Sequence, residues 1–385
     1  MMTLETKEGL FALMEQIAGE REAARPIVEK LVASGESMED IEIPDGWRTA
    51  GMVMELADAA YAKNESRPRQ SLALSEVGFA IATSISNTYP ELIGHYLYGR
   101  ALREIGYAQR YLDAYDASLR AFGSSERAFA HDGALLHDQA VAQYAGACVL
   151  YRAARYDDAL ALLASSEEVF HSFGDEGRKS RCRCLDAAIC HERGDLSRAR
   201  LKYEALLDEL RTSNDLATSG AVCQNLGALD LDLGRSSDAA ISFARARSIF
   251  MDLDAPCEIS RADWGLAQVF LIEGQPKKAL PLLWRVRQDY LSRCMPAAAA
   301  EIGLHIVDAL VMMDQIDEAK AINQQVLREC VDHKLNQKAI MALSYLREIL
   351  QTTANPRRAI QHVRSYVQRL RSEPQLLFAP LDEGE

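Results

Sequence analysis

Basic residues are scarce relative to acidic ones, aromatics make up only 7% of the chain, and long apolar runs are missing. Each shortfall excludes something. The 43 Lys and Arg face 56 Asp and Glu, a formal charge of −13, and the basic residues gather nowhere into a block. A nucleic-acid binder needs concentrated positive surface to neutralise phosphates, so no nucleic acid is expected as a partner. Arg357, Arg358, Arg364, Arg369 and Arg371 do fall together on one short C-terminal helix, and they read as a solvated helix face. The longest apolar stretch, residues 304–313, is interrupted by Asp308 and is too short to span a bilayer. Residues 1–8 are acidic and have neither the basic start nor the apolar core of a signal peptide. A cytoplasmic location away from membranes is the expectation.

Paired cysteines are also missing. The eight cysteines are spread through the chain without one CxxC, as suits cytosolic thiols acting as small buried hydrophobes. Cys182, Cys184, Cys190 and His191 resemble a metal cluster only at first glance. On one helix their spacing turns the sulfurs to different faces, and no metal is expected. Phosphate-binding glycine loops and the Gly-x-Ser-x-Gly elbow are absent, and His191-Glu192 has Asp195 where a metalloprotease would need a second histidine. No catalytic residues and no cofactor are expected, which points away from an enzyme.

What is present is a period. The segment Gly194-Asp195-Leu196-Ser197-Arg198-Ala199 is followed 40 residues later by Gly234-Arg235-Ser236-Ser237-Asp238-Ala239, and then by Gly274-Gln275-Pro276-Lys277-Lys278-Ala279. Asp314-Gln315-Ile316-Asp317-Glu318-Ala319 and Ala354-Asn355-Pro356-Arg357-Arg358-Ala359 continue it, and Ala154-Arg155-Tyr156-Asp157-Asp158-Ala159 precedes it. With alanine at about one residue in seven, six alanines in one register would arise by chance on the order of once in a hundred thousand. Abundant alanine with few aromatics favours closely packed helices over sheets. Apolar residues recur at three- and four-residue spacings in 217–233 and 238–253, so each unit reads as two amphipathic helices. The glycines at 194, 234 and 274 end the first helix, and Pro276 and Pro356 open the second. The alanine one turn further on lets the two helices approach closely.

These residues resemble a known family. Cys223-Gln224-Asn225-Leu226-Gly227-Ala228 followed by Gly234, Ala239, Phe243 and Ala246 is similar to a tetratricopeptide repeat in spacing and residue type. Gly265-Leu266-Ala267 with Gly274, Ala279 and Leu283 repeats the theme, as does Ala187 with Gly194, Ala199 and Tyr203. The match weakens at Val307, Asp314 and Asn323 and in the last unit. The period of 40 exceeds the 34 usual for the family and resembles the tetratricopeptide regions of bacterial signal-responsive regulators; HEAT repeats share the longer period. The resemblance implies an all-α, right-handed superhelical solenoid of antiparallel helix pairs.

The expected organisation is a helical cap over residues 1–46 with a turn at Pro44-Asp45-Gly46, two degenerate pairs over 47–136, six regular repeats over 137–372, and a loosely ordered acidic tail over 373–385. Gly106 and Tyr111 are placed in the unit at 89–129, with Ser71 40 residues earlier. The 48 residues from Tyr111 to Ala159 then imply eight inserted residues, assigned to the connection 123–133.

In tetratricopeptide proteins the first helices line a concave groove, so residues 40 apart form rows along it. One row is Tyr144, Cys184, Gln224, Trp264 and Leu304; a second is Val141, Arg181, Ala221, Arg261 and Glu301. A third is Cys148, Ala188, Ala228, Gln268 and Asp308; a fourth is Tyr151, His191, Leu231, Leu271 and Val311. Upstream, Ile93, Tyr96, Arg100 and Arg103 correspond. Aromatics, amides and arginines of this kind bind peptides well. The candidate peptide-contacting residues are therefore Tyr96, Arg100, Arg103, Tyr144, Tyr151, Arg181, His191, Gln224, Asn225, Arg261, Trp264 and Gln268. Asn225 falls where the family uses an Asn to hold a bound peptide's backbone, while Trp264 fits a groove position and a core position equally. Four arginines on one face of an acidic chain suggest a protein or peptide partner with carboxylates. The expectation is a non-catalytic scaffold or adaptor; the alternative is a peptide-responsive sensor of bacterial signalling, although residues 1–46 are short for a helix-turn-helix reader.

Overall fold

The computed structural model describes residues 7–34, 42–293, 295–332, 337–352, 356–370, 373 and 376–381. Among these residues every regular element is helical. The chain begins α1 (Lys7–Ser34), α2 (Ala50–Lys63), α3 (Pro68–Ser84), α4 (Glu91–Tyr111) and α5 (Tyr115–Phe129). It continues α6 (Leu136–Arg152), α7 (Tyr156–Ser172), α8 (Glu176–Glu192), α9 (Leu196–Ser213), α10 (Leu216–Asp232) and α11 (Ser236–Asp252). It ends α12 (Pro256–Ile272), α13 (Pro276–Ser292), α14 (Pro296–Met312), α15 (Ile316–Asp332), α16 (Gln337–Thr352) and α17 (Arg357–Arg369). No described helix is long and apolar enough to cross a membrane.

Local sequence explains where the helices stop. Gly194, Gly234 and Gly274 have φ of 80°, 71° and 72°, the left-handed conformation in which a Cβ is costly. The amide after each reaches back to the last turn, as in Arg235 N–H to the Asp230 carbonyl at 2.7 Å. Asp113, Ala154 and Asp314 occupy the same conformation at the same place in their hairpins. The second helices close likewise at Gly174, Asn214 and Asp254; the next such position, Cys294, lies outside the described residues, as do Ala354 and Asn355. Pro256, Pro276 and Pro296 each open a helix, where the missing N–H costs nothing.

The periodic alanines sit where the two helices of each pair meet. Ala159, Ala199, Ala239, Ala279 and Ala319 are fully buried and Ala359 nearly so. Ser71 and Ser118 hold the same place in α3 and α5, each three residues into its helix and fully buried. This corrects the register read from Tyr111, which is instead the last residue of α4. Ser118 stands 41 residues before Ala159 and 47 after Ser71. The extra length therefore lies mainly in α4, which has 21 residues against 17 for α6, and in the connection before it.

Two compact units divide the chain, Met1–Cys182 and Arg183–Glu385. In the first, α1 is a single helix of 28 residues that packs on α2. Arg21 pairs there with Glu55 and Asp58, both at 2.7 Å, and Glu20 accepts from Tyr89 Oη at 2.8 Å. Burial, helped by Glu20, pushes the Tyr89 phenol up to about 12. In the second unit one core runs from Ala267 to Leu370. All of residues 301–310 are buried within it, which explains that apolar run. The final hairpin departs from the pattern, because α17 rather than α16 packs against α14. Arg357 and Arg364 accordingly do not form a solvated face: both reach Asp308, at 3.4 and 3.2 Å. Arg369 pairs with Glu373, while Arg371 lies outside the described residues. The tail also packs, with Phe378 against Tyr345, His362 and Tyr366.

The left-handed positions predict opposite responses to one pair of substitutions. Nothing crowds a Cβ at Gly234, so Gly234→Ala is expected to lose about 1–2 kcal/mol from backbone strain alone. Ala154→Gly relieves the same strain at some cost in unfolded-chain entropy, and should gain about 0.5–1 kcal/mol. Urea midpoints of the two variants check both signs.

Candidate functional site

The first unit holds a cavity of about 360 Å³ lined by successive first helices. From α2 come Asp58 and Tyr61; from α4, Arg100, Arg103, Glu104 and Tyr107; from α6, His137, Asp138, Val141 and Tyr144; from α8, Arg178 and Arg181. Spacings of three and four put Arg100, Arg103 and Tyr107 on one side of α4, and His137, Val141 and Tyr144 on one side of α6. The opposite side of α4 decides which way that stripe turns. Gly99 and Gly106 lie so close to α5 that a Cβ would come within 2.7 Å of the Phe129 ring and 2.8 Å of the Phe122 ring. Ser125 and Ser118 of α5 donate to the carbonyls of Gly99 and Gly106 at 2.7 and 2.6 Å. With one side of α4 pressed and bonded to α5, the stripe of Arg100, Arg103 and Tyr107 turns to the cavity.

The cavity is strongly polar but nearly balanced in charge. Arg100 pairs with Asp58 and donates to Tyr96 Oη at 2.8 Å. Arg103, whose side chain is 12% exposed, donates to Asp138 at 3.1 Å and to Glu104 at 3.4 Å. Burial works against the Arg103 charge, yet Glu104, Tyr107 and Asp138 together hold its pKa above the ordinary value. Burial raises the Glu104 pKa against the pull of Arg103 and Arg100, and pushes Tyr107 up to about 12. Arg178 and His137 share Asp175, at 2.6 and 3.0 Å. That carboxyl is driven down to about 2 in spite of its partial burial, by the Arg178 amide and guanidinium and by His137. Two groups stand out. Glu104 Oε2 is buried without a hydrogen-bond partner, and Arg181 is exposed with no paired carboxylate among the described residues.

Of the residues expected from the rows, Arg100, Arg103, Tyr144 and Arg181 line this cavity together with Val141. Tyr96 lies beside it through its bond to Arg100, and Tyr151 packs on Tyr156 at 6.3 Å between ring centres. The others belong to the second unit. His191 binds Asp232 at 2.7 Å, and Asn225 Nδ2 approaches Cys184 Sγ at 3.5 Å. Gln224 and Gln268 are half-buried, and Gln224 Oε1 is without a partner. Trp264 packs edge-on against Tyr290 and His305 beside the core. The expectation of net positive charge along one face fails: Arg261 is taken by both oxygens of Glu258 on its own helix, and Arg100 and Arg103 are paired across helices. Reading the rows missed Tyr107, His137 and Arg178, each one helical turn from a named position, and that step would have found them. Asp58 and Tyr61 lie on α2, outside the regular period, and carried no such signal. Cys182, Cys184 and Cys190 are all buried as small hydrophobes, in keeping with the burial that pushes the Cys182 thiol upward.

No protein-family model matches the chain, and no curated protein sequence is similar to it. Solved structures are. NprR, solved in complex with its cognate peptide NprX, superposes with a TM-score of 0.58 at 13% identity, covering 94% of this chain and 99% of that one. Aspartyl phosphate phosphatase F from Bacillus subtilis gives 0.54 at 14% identity, covering 100% and 99%. A signal-transduction ATPase with a tetratricopeptide repeat sensor, from Pyrococcus horikoshii, gives 0.50 at 12%, covering 93% of this chain and 53% of that one. The fold is of the tetratricopeptide type. At these identities the likeness extends to the fold alone.

The packing behind α4 predicts that Gly99→Ala costs about 1–3 kcal/mol by overpacking Phe129, outweighing the better helix propensity of alanine. Thermal melts check the loss. The neighbouring change Gly123→Ala, where only the end of the Arg127 side chain lies near, should show none of it.

Proposed function

We propose that the cavity of the first unit binds an extended peptide or protein segment, and that the chain acts through this binding rather than through catalysis. The observation that carries the reading is the pairing of two unmet needs in one cavity, the buried Glu104 Oε2 without a partner and the unpaired Arg181. A peptide satisfies both at once, with an N–H for the carboxylate and a carboxylate for the guanidinium. Tyr61, Tyr107 and Tyr144 supply rigid aromatic contact between them. The acidic preference is narrower than four free arginines would imply, because three of the cavity's arginines already hold carboxylates. No triad or metal-ligand cluster accompanies the cavity among the described residues, and nothing in it positions a nucleophile beside a base. A cytoplasmic protein without a nucleic-acid partner completes the reading.

A second reading, a peptide-responsive sensor, draws on the NprR complex, whose fold this chain matches over nearly its whole length. The two differ in whether binding changes conformation. Contraction of the radius of gyration on peptide addition, measured by small-angle scattering, favours the sensor.

A random decapeptide display screen against the full chain tests the proposal. Binders are expected to lose at least tenfold in affinity, about 1.4 kcal/mol, in Arg181→Glu and again in Glu104→Gln. The reading is rejected if the screen yields no binders, or if binders hold unchanged affinity for both variants while these keep the wild-type circular dichroism.

A further inference from the structure

The last helix of the second unit is held by contacts that fit poorly. In the preceding hairpin the residue 40 before Arg357 is Asp317, whose side chain is fully exposed. In α17 the corresponding arginine turns inward, and Arg364 joins it one heptad later. Between them Ile360 is fully buried. Both arginines meet the side of α14 that carries Glu301, His305 and Asp308, all buried.

The polar bookkeeping of this contact does not close. Arg364 donates to Asp308 Oδ2 at 3.2 Å and approaches His305 Nε2 at 3.2 Å. Since a guanidinium only donates, Nε2 must accept, which places the ring proton on Nδ1. That Nδ1 is buried without a hydrogen-bond partner. Arg357 Nε and Asp308 Oδ1 form an ion pair at 3.4 Å, yet neither atom makes a hydrogen bond. Trp264 Nε1, on the ring packed against His305, is buried and unpartnered too. Four polar atoms at one contact are thus desolvated without full compensation. The titration directions agree: burial lowers the pKa of Arg364, lowers that of His305 with help from Arg364, and raises that of Asp308.

We propose that α17 is a displaceable occupant of this face of α14, and that the face is a docking surface for a basic amphipathic helix presented by a partner. The chain's own helix shows the chemistry such a partner needs. It presents two arginines seven residues apart for Asp308 and His305, an aliphatic side chain between them for the core, and a second apolar row of Ala359, Val363 and Tyr366. Exposure of α14 would uncover Glu301 and Asp308 together, an acidic strip on an apolar floor. The site lies wholly in the second unit and does not depend on the cavity of the first.

The test uses the full chain and a fluorescein-labelled synthetic peptide of residues 356–381. In the wild type, amides of α17 should exchange hydrogen at least tenfold faster than those of α14. The peptide should bind Arg357→Ala/Arg364→Ala protein at least tenfold more tightly than wild type, because the internal competitor is weakened. A control peptide lacking both arginines should not bind. Exchange of α17 as slow as that of α14 overturns the proposal, as does a peptide that binds neither protein or binds both equally. Should the double variant lose its helical circular dichroism, Arg364→Lys replaces it and is read by the same criteria.

Discussion

Among the described residues, the hairpins from α2–α3 onward close on a side chain too small to hold their helices apart. Alanine at 159, 199, 239, 279, 319 and 359, and serine at 71 and 118, are buried where the second helix meets the first. Close approach at that point lets the larger residues about one and three turns on, such as Phe243 and Phe250, fill the space between neighbouring hairpins. Within each unit, consecutive hairpins then pack on one another, as α5 on α6 and α11 on α12. A larger residue at this place would push its helix off both neighbours at once.

The same constraint builds the cavity. Because α4 is pressed against α5 through Gly99 and Gly106, its polar stripe faces away, and the first helices before and after it contribute theirs. Buried arginines in such a place need carboxylates, and α2 and α6 supply them in Asp58 and Asp138. Asp58 also takes Arg21 of α1, so the N-terminal helix is tied into the wall of the cavity by the residue that neutralises Arg100. The result is a cavity wall whose charges are fixed in place by pairing and do not add up to one sign. Arg181, Glu104 Oε2 and Arg100 Nε are places where the internal pairing stops short.

At the other end of the chain the stacking rule breaks. In the last described hairpin α17 turns against α14, with Phe378 packed over α16 and α17. Termini of repeat arrays must cover an apolar face that interior repeats hide from one another. Here the cover is a helix whose Arg357 leaves Nε buried without a hydrogen bond, and that tension separates it from the regular hairpins before it.

By itself the sequence determined the helical class, the period, the turn glycines and the buried alanines, because each follows from backbone conformation or helix spacing within a few residues. It also placed Arg100, Arg103, Tyr144 and Arg181 on facing first helices, since identical positions in a stacked array come to one side. Three things were decided only by the tertiary structure. Charge partners were one: Asp58 and Asp138 reach their arginines from helices 42 and 35 residues away, at separations that no period relates. The register of the worn N-terminal hairpins was another, since serine replaces alanine there and α4 is longer than its counterparts. The last was the side chosen by α17. Its pattern is that of a second helix, but which neighbour it meets depends on the surface left open when the repeat ends, and no local spacing records that.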